Sequence, residues 1–104
     1  MFDNTLEYGI LGMARSGIAA ARLIKDLGGK VFLSELRGSD QVKDAGELQQ
    51  QFECEFGGHT DRLYQCDRWI VSPGIPLDSP IILEGRKRNI PMISEIELGY
   101  QVKA

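Results

Sequence analysis

The segment from Gly12 to Gly17 contains the residue types that most directly suggest chemistry. It reads Gly-Met-Ala-Arg-Ser-Gly and lies between a short apolar run and a helical pattern. Gly12 permits a tight turn, the small Ala14 lets backbone amides approach a phosphate, and Gly17 allows a helix to pack closely on a strand. Amides at a helix start, together with the helix dipole, bind anions without a lysine. The segment predicts a phosphate-binding turn, and a purely structural turn is the alternative.

An acidic residue, Glu35, and a basic residue, Arg37, follow the next apolar run. Glu35 stands 23 residues after Gly12, close to the spacing at which such folds place an acid that accepts hydrogen bonds from a ribose hydroxyl or a base N–H. Arg37 carries a planar guanidinium that can stack on a nucleobase. The alternative interpretation of Glu35, Leu36 and Arg37 is a solvated loop.

A third motif, Ser72-Pro73-Gly74, stands at the predicted end of the fourth strand. A hydroxyl and an amide in a proline-stiffened turn opposite the first turn would form a second wall of the same crevice. Ser72 is not interpreted as a nucleophile. The sequence positions no histidine or lysine base for it and lacks the G-x-S-x-G turn of serine hydrolases.

The two cysteines and the single histidine belong to no motif. Cys54 and Cys66 lack the second pair or the histidines that a zinc site needs, so we expect reduced thiols and no metal site. His59 follows two glycines and, being alone, cannot build a catalytic triad or a metal cage. We expect it in a loop near the carboxyl edge of a sheet.

Short apolar runs alternate with helical patterns along the whole chain. Strands are predicted over 7–11, 30–34, 52–56, 68–71 and 90–93. Helices are predicted over 18–27, from 39 or 40 to about 51, over 81–88, and from a capping box at 94–97 toward 102, with a short helical turn over 61–65. This alternation predicts a Rossmann-like, doubly wound α/β domain with about five mainly parallel strands, whose ligand binds at their carboxyl ends.

The composition is that of a single globular domain. The 104 residues include 12 Lys or Arg and 15 Asp or Glu, for a net charge of −3, and 42% are apolar. This mild acidity argues against nucleic acid or an anionic membrane as a partner, and the basic triplet 86–88 is interpreted as a solvated helix face. Because the sequence has no apolar run of about 18 residues and no signal peptide pattern, we expect a cytoplasmic protein.

Four motifs occur in order along the chain at consistent spacing. They are the turn at 12–19, the strand end 31–35 with Arg37, the segment 71–76, and 90–91 followed by Ser-Glu-Ile-Glu-Leu at 94–98. Together they resemble the N-terminal domain of the Mur ligases of peptidoglycan synthesis, over residues 8–98. Ser-Pro-Gly followed by Glu-Ile-Glu-Leu is most similar to the MurD family, which adds D-glutamate to UDP-N-acetylmuramoyl-L-alanine.

The resemblance implies that residues 1–104 bind the UDP part of that substrate. In the family a central domain supplies the ATP-binding P-loop and magnesium ligands, and a C-terminal domain admits the amino acid. This sequence has no G-x-x-x-x-G-K-S/T segment. The resemblance therefore implies that ATP and Mg belong to the parent enzyme, that this domain holds no cofactor, and that the isolated chain has no ligase or ATPase activity.

The resemblance also implies roles for individual residues, none of them catalytic. It implies that Arg15, Ser16 and Gly74 meet the diphosphate, that Glu35, Leu36 and Arg37 enclose the uracil, and that Ser72 and Pro73 line the pocket near the nucleoside. Two positions depart from the family. Ala14 replaces a common glycine, so we expect the phosphates farther from the backbone, and Glu35 replaces a frequent aspartate, so we expect a shifted base contact.

Two other functions are compatible with the same residues. An NAD-binding or nucleotide-sensing Rossmann module would use the glycine turn, with Glu35 on an adenosine ribose. A protein-interaction domain with a vestigial crevice is a third interpretation. The segments 72–74 and 95–97 favour the ligase, because dinucleotide binding requires neither.

Overall fold

A parallel β-sheet forms the centre of the computed structural model, which describes residues 2–103. The strands are β1 (Glu7–Leu11), β2 (Lys30–Ser34), β3 (Glu53–Glu55), β4 (Arg68–Val71) and β5 (Met92–Ser94). The helices are α1 (Arg15–Asp26), α2 (Ala45–Gln51), α3 (Pro80–Lys87) and α4 (Glu95–Lys103), with 3₁₀ turns at Ser39–Gln41 and Asp61–Gln65. The five strands run in the order β3-β2-β1-β4-β5 and pair in parallel, so the predicted doubly wound α/β fold is confirmed.

Two layers of helices cover opposite faces of the sheet. Tyr8 and Ile10 of β1 belong to a buried cluster with apolar residues of α1, α2 and α4. Leu11 at the end of the same strand belongs to a second cluster, with Leu63 of the Asp61–Gln65 turn and Ile82 of α3. β1 is therefore buried on both faces, which explains why no charged residue follows Glu7 in this strand.

The first helix begins earlier than predicted. Ala14 is in an extended conformation, and its carbonyl accepts the first helical hydrogen bond, from Ile18 N at 3.0 Å. Helix α1 thus starts at Arg15, which places Gly17 in its first turn rather than before it. The helix ends at Asp26, one residue before the predicted end, and Gly28 just after it has the left-handed conformation (φ +86°) common at helix ends.

Two other predicted boundaries are wrong for identifiable reasons. The helix predicted from 39 or 40 to 51 is a 3₁₀ turn followed by α2, because Asp44 takes a left-handed conformation (φ 62°) between them. The fifth strand starts at Met92 rather than 90, because the left-handed Asn89 (φ 60°) turns the chain and Ile90 N bonds to Gly85 O of α3 at 3.0 Å.

The last helix follows its predicted cap. The Ser94 hydroxyl accepts a hydrogen bond from Glu97 N at 3.1 Å, as the S-x-x-E pattern requires. Among residues 2–103, no helix combines the length and the apolarity needed to cross a bilayer.

Candidate functional site

The crevice of this fold lies where β1 and β4 end side by side. The connection after β1 leads to α1 on one face of the sheet, and that after β4 leads to α3 on the other. Such divergence at a topological switch point opens a cleft outside the carboxyl ends of the strands. The Gly12 backbone turns sharply there, with a φ of +99°, and Gly12 N donates to Ser34 O of β2 at 2.9 Å.

An open cavity of about 770 Å³ occupies this cleft. Gly12 contributes one wall, the loop after β2 a second, and the β4–α3 connection from Gly74 a third. Most of the lining is apolar and includes Leu36, Tyr64, Ile75, Pro76, Pro80 and Ile81. A cavity of roughly 300–1,000 Å³ with apolar walls and few polar groups is typical of small-molecule sites.

Glu35 is the buried polar centre of the cavity wall, with a residue exposure of only 5%. Its Oε1 accepts hydrogen bonds from Met13 N (2.8 Å) and Arg37 Nη2 (3.2 Å). Its Oε2 accepts from Arg37 N (2.9 Å) and Arg37 Nε (3.3 Å). A carboxylate offers about four lone-pair sites. Glu35 is therefore saturated by internal donors, and it ties the β1–α1 turn to the β2 loop.

These hydrogen bonds also keep Glu35 charged. Burial raises the pKa of this carboxyl, but the hydrogen bonds from Arg37 and Met13 outweigh burial and leave the pKa below its usual value. Arg37 remains accessible, with 49% of its side chain exposed, and Leu36 beside it is 69% exposed. The loop therefore presents the planar guanidinium of Arg37 and the apolar side chain of Leu36 to the cavity, while the carboxylate of Glu35 is bonded within the protein.

His59 lies in the loop after β3 and lines the same cavity, at the carboxyl edge where it was predicted. Its Nδ1 atom is 2.6 Å from the hydroxyl of Ser34, which is fully buried at the end of β2. The same hydroxyl is 2.6 Å from Oε2 of Glu55, and Thr60 donates to Glu55 from its backbone N at 2.9 Å. No motif in the sequence joins Ser34, Glu55 and His59, so this group was not predicted. The register that pairs Ser34 with Glu55 would have indicated it.

Arg15 and Ser16 lie exposed in the first turn of α1, outside the cavity lining. That turn contains no acidic residue, so nothing in it offsets the positive end of the helix dipole. Ala14 is also exposed, at the N-cap position. The predicted contact of Arg15 and Ser16 with a diphosphate stays a prediction.

The Ser72-Pro73-Gly74 motif is divided between two cavities. Gly74 lines the large cavity, whereas Ser72 and Pro73 line a neighbouring one of about 340 Å³. Ile75 lines both, because a turn closed by Ile75 N and Ser72 O (3.1 Å) places it between them. Ser72 also lies next to Gly12 of the large cavity, since its Cβ is 3.7 Å from the place of a Cβ at position 12. The expectation that Ser72 and Pro73 line the pocket near the nucleoside stays a prediction.

The cysteines lie away from both cavities and are free thiols. Burial raises the pKa of Cys66 to about 12 and also raises that of Cys54, so both are protonated near neutral pH. Across residues 2–103, no three His, Cys, Asp or Glu side chains are grouped so that they could hold a metal ion.

Comparison with known proteins decides the family. The model of the MurD N-terminal domain matches residues 7–81. The chain belongs to this family. The UDP-N-acetylmuramoylalanine–D-glutamate ligase of Chloroherpeton thalassium is 42% identical over 92 residues, which cover 86% of this chain and 20% of that protein. The ligase of the same name from Chlorobium limicola is 44% identical, over 85% of this chain and 19% of that protein.

The structural comparison supports the Rossmann-like α/β fold. A crystal structure of the UDP-N-acetylmuramate–alanine ligase MurC from Thermotoga maritima matches 93% of this chain with a TM-score of 0.75 and 19% identity. The chain spans 22% of that structure, and 19–20% of the curated ligases described above. The segment 7–81 that matches the MurD N-terminal domain contains every predicted site residue. The resemblance to the Mur ligases of peptidoglycan synthesis is confirmed.

Proposed function

We propose that this MurD N-terminal domain binds the UDP part of UDP-N-acetylmuramoyl-L-alanine, for the ATP-dependent addition of D-glutamate. The observation that carries the proposal is the cavity at the switch point, with Gly12, the loop 35–37 and Gly74 on its walls. The names of the relatives support this substrate class, because each specifies a D-glutamate ligase acting on UDP-N-acetylmuramoylalanine. In this proposal, ATP and Mg are held by other domains of the full-length ligase, since this chain matches only 19–20% of the length of those relatives.

The apolar cavity suits a nucleoside rather than a diphosphate. Its basic lining residue is Arg37, whose guanidinium can stack on the uracil while Leu36 packs on the same ring. The diphosphate is then placed at the edge of the cavity, between Gly74 of the lining and the amides and side chains of Arg15 and Ser16 at the start of α1. Ser72 and Pro73 line the adjoining cavity, and in this proposal they border the nucleoside, because Ser72 lies next to Gly12 of the large cavity.

An NAD-binding module is the second candidate, and the geometry of Glu35 disfavours it. In such modules the acid after the second strand accepts hydrogen bonds from the ribose hydroxyls of adenosine. Here the four acceptor sites of Glu35 are occupied by N–H groups of Met13 and Arg37. A ribose diol would have to displace one of these internal bonds.

We expect Arg37→Ala to raise KM for the UDP-sugar substrate, by about 3- to 30-fold if a cation–π contact is lost. The measurement uses this chain joined to the central and C-terminal domains of the Chloroherpeton thalassium ligase. Because the nucleotide end is remote from the reacting carboxyl, its contacts are nearly equal in the ground and transition states, and kcat should stay within a few-fold.

The matched control is Arg22→Ala, which removes an exposed arginine of α1 that lines neither cavity. It should leave both kinetic constants unchanged. A collapse of kcat at constant KM in the Arg37 variant would contradict the proposal of simple anchoring. It would mean that uracil binding drives assembly of the reactive site.

A further inference from the structure

The hydrogen bonds around Ser34 fix the proton of His59. The Ser34 hydroxyl has a single hydrogen and two neighbours at 2.6 Å, Glu55 Oε2 and His59 Nδ1. Burial raises the pKa of Glu55, but hydrogen bonds from Ser34 and Thr60 outweigh burial and hold it below its usual value. Glu55 is thus ionised and can only accept. Ser34 donates to Glu55 and accepts from His59, so the proton of neutral His59 is on Nδ1.

With its proton on Nδ1, neutral His59 carries a lone pair on Nε2. Within residues 2–103 this atom has no hydrogen-bond partner, and it is not among the buried unpartnered side-chain atoms. Since the ring lines the large cavity, Nε2 is an accessible acceptor at that cavity. Ser34 itself is fully buried, so the group is no nucleophile for a ligand, although it contains a serine, a histidine and an acid.

The surroundings keep His59 neutral near pH 7. Burial lowers the pKa of the imidazole, and the nearby carboxylates Glu55 on β3 and Glu35 after β2 offset this only in part. The other titratable groups that line the cavity are Arg37, Tyr64 and Glu84.

A nucleobase in this cavity has few acceptors available for its N–H groups. Glu35 is saturated by four internal donors, as described above. Glu84, the other carboxylate of the lining, accepts from Arg88 Nε through Oε2 at 2.9 Å, and it is solvent-exposed, with 37% of its side chain accessible. His59 differs from Glu84 in that its ring is held by the fully buried Ser34, which leaves Nε2 as a fixed acceptor open to the ligand.

We propose that His59 Nε2 accepts a hydrogen bond from the imide N–H of uracil and thereby selects uridine over cytidine nucleotides. This inference rests on the proposed function, since it requires a pyrimidine in the cavity. Cytosine has an unprotonated acceptor nitrogen at the same ring position, which would face the Nε2 lone pair with no hydrogen between them. The hydrogen bond from the uracil N–H to His59 Nε2 is thus replaced by two facing acceptors, so a bound cytidine nucleotide has one hydrogen bond fewer.

The test compares UDP and CDP binding to the 104-residue chain and to its His59→Asn variant. The asparagine amide nitrogen can donate to Ser34 in place of Nδ1, but no atom takes the place of Nε2. We expect the parent to prefer UDP about 10-fold, from one hydrogen bond and one unpaired acceptor. The variant should lose that preference while keeping its melting temperature, because the Ser34 contact is retained. An unchanged UDP-to-CDP ratio in the variant would overturn the assignment.

A second readout needs no variant. His59 is the only histidine in the sequence, so an untagged, ¹⁵N-labelled chain gives one pair of imidazole nitrogen signals. We expect a protonated Nδ1 and a bare Nε2 in the free protein, with Nε2 shifted by UDP and not by CDP. As the pH falls below the usual histidine range, Nε2 gains a proton and the preference for UDP should decline. A proton on Nε2 at neutral pH would overturn the inference.

The two proposals fail in different ways. If UDP and CDP both bind and move the amides of Gly12 and Arg37, but with equal affinity in parent and variant, the proposed nucleotide site stands and the role of His59 is wrong. If neither nucleotide binds, the proposed function is wrong and the inference about His59 is wrong with it.

Discussion

Gly17→Val should destabilise the fold by about 1–3 kcal/mol through overpacking. A Cβ at position 17 would collide with the carbonyl oxygen of Gly12 and lie 3.4 Å from Ile10 Cγ2. The carbonyl is backbone and cannot rotate away as a side chain would, so α1 or the β1–α1 turn must shift. Thermal unfolding should show a melting temperature lower by about 4–8 °C for each kcal/mol. The shift should also weaken nucleotide binding, because Gly12 lines the cavity.

The matched control is Gly46→Ala in α2. A Cβ there meets nothing within 4 Å, so the change removes backbone freedom without a clash. We expect it to stabilise the protein by about 0.4–1 kcal/mol. Equal melting temperatures for the parent and the Gly17 variant would show that the helix does not approach Gly12 as closely as described.

Arg62→Met should lower the free energy of unfolding by about 1–3 kcal/mol. Arg62 bonds to Glu7 of β1 (Nη2–Oε2, 2.6 Å) and to Glu53 of β3 (Nε–Oε2, 2.9 Å), and its guanidinium lies 4.7 Å from the ring centre of Phe32. These contacts raise the pKa of Arg62, through the hydrogen bonds that it donates to Glu7 first and to Glu53 second. The methionine fills the space but leaves both carboxylates without this cation.

Chemical denaturation of Arg62→Met and of Arg22→Met measures the effect. Arg22 is exposed on α1, and its replacement should change the free energy of unfolding by no more than about 0.5 kcal/mol. Similar losses in the two variants would mean that the ion pairs of Arg62 contribute nothing beyond an exposed charge.

The elements that follow from local sequence were predicted well. The runs at 7–11, 30–34 and 68–71 became β1, β2 and β4 with the predicted bounds, because central strands buried on both faces have apolar residues at consecutive positions after a charged first residue. Ser94 and Glu97 formed the predicted cap, since capping depends on residues three apart. The boundaries at Asp44 and Asn89 were missed, because a left-handed residue other than glycine leaves little trace in a single sequence.

The segments that form the site were predicted better than the hydrogen bonds among their side chains. The turn at Gly12, the loop at Arg37 and the turn at Gly74 do meet at one cavity, because parallel strands end at one edge of a sheet. The saturation of Glu35 and the contact between Ser34 and His59 depend on strand register and side-chain direction. Those are set by tertiary packing, which spacing along the chain does not specify.

A titration of the ¹⁵N-labelled chain with UDP and, separately, with NAD tests the central claim most directly. We predict weak, saturable binding of UDP that shifts the backbone amides of Gly12, Arg15, Ser16, Glu35, Arg37 and Gly74. The amide of Gly46, on α2 and outside both cavities, should stay in place. Shifts of the same site amides by NAD, with none by UDP, would contradict the assignment of this cavity to a uridine nucleotide.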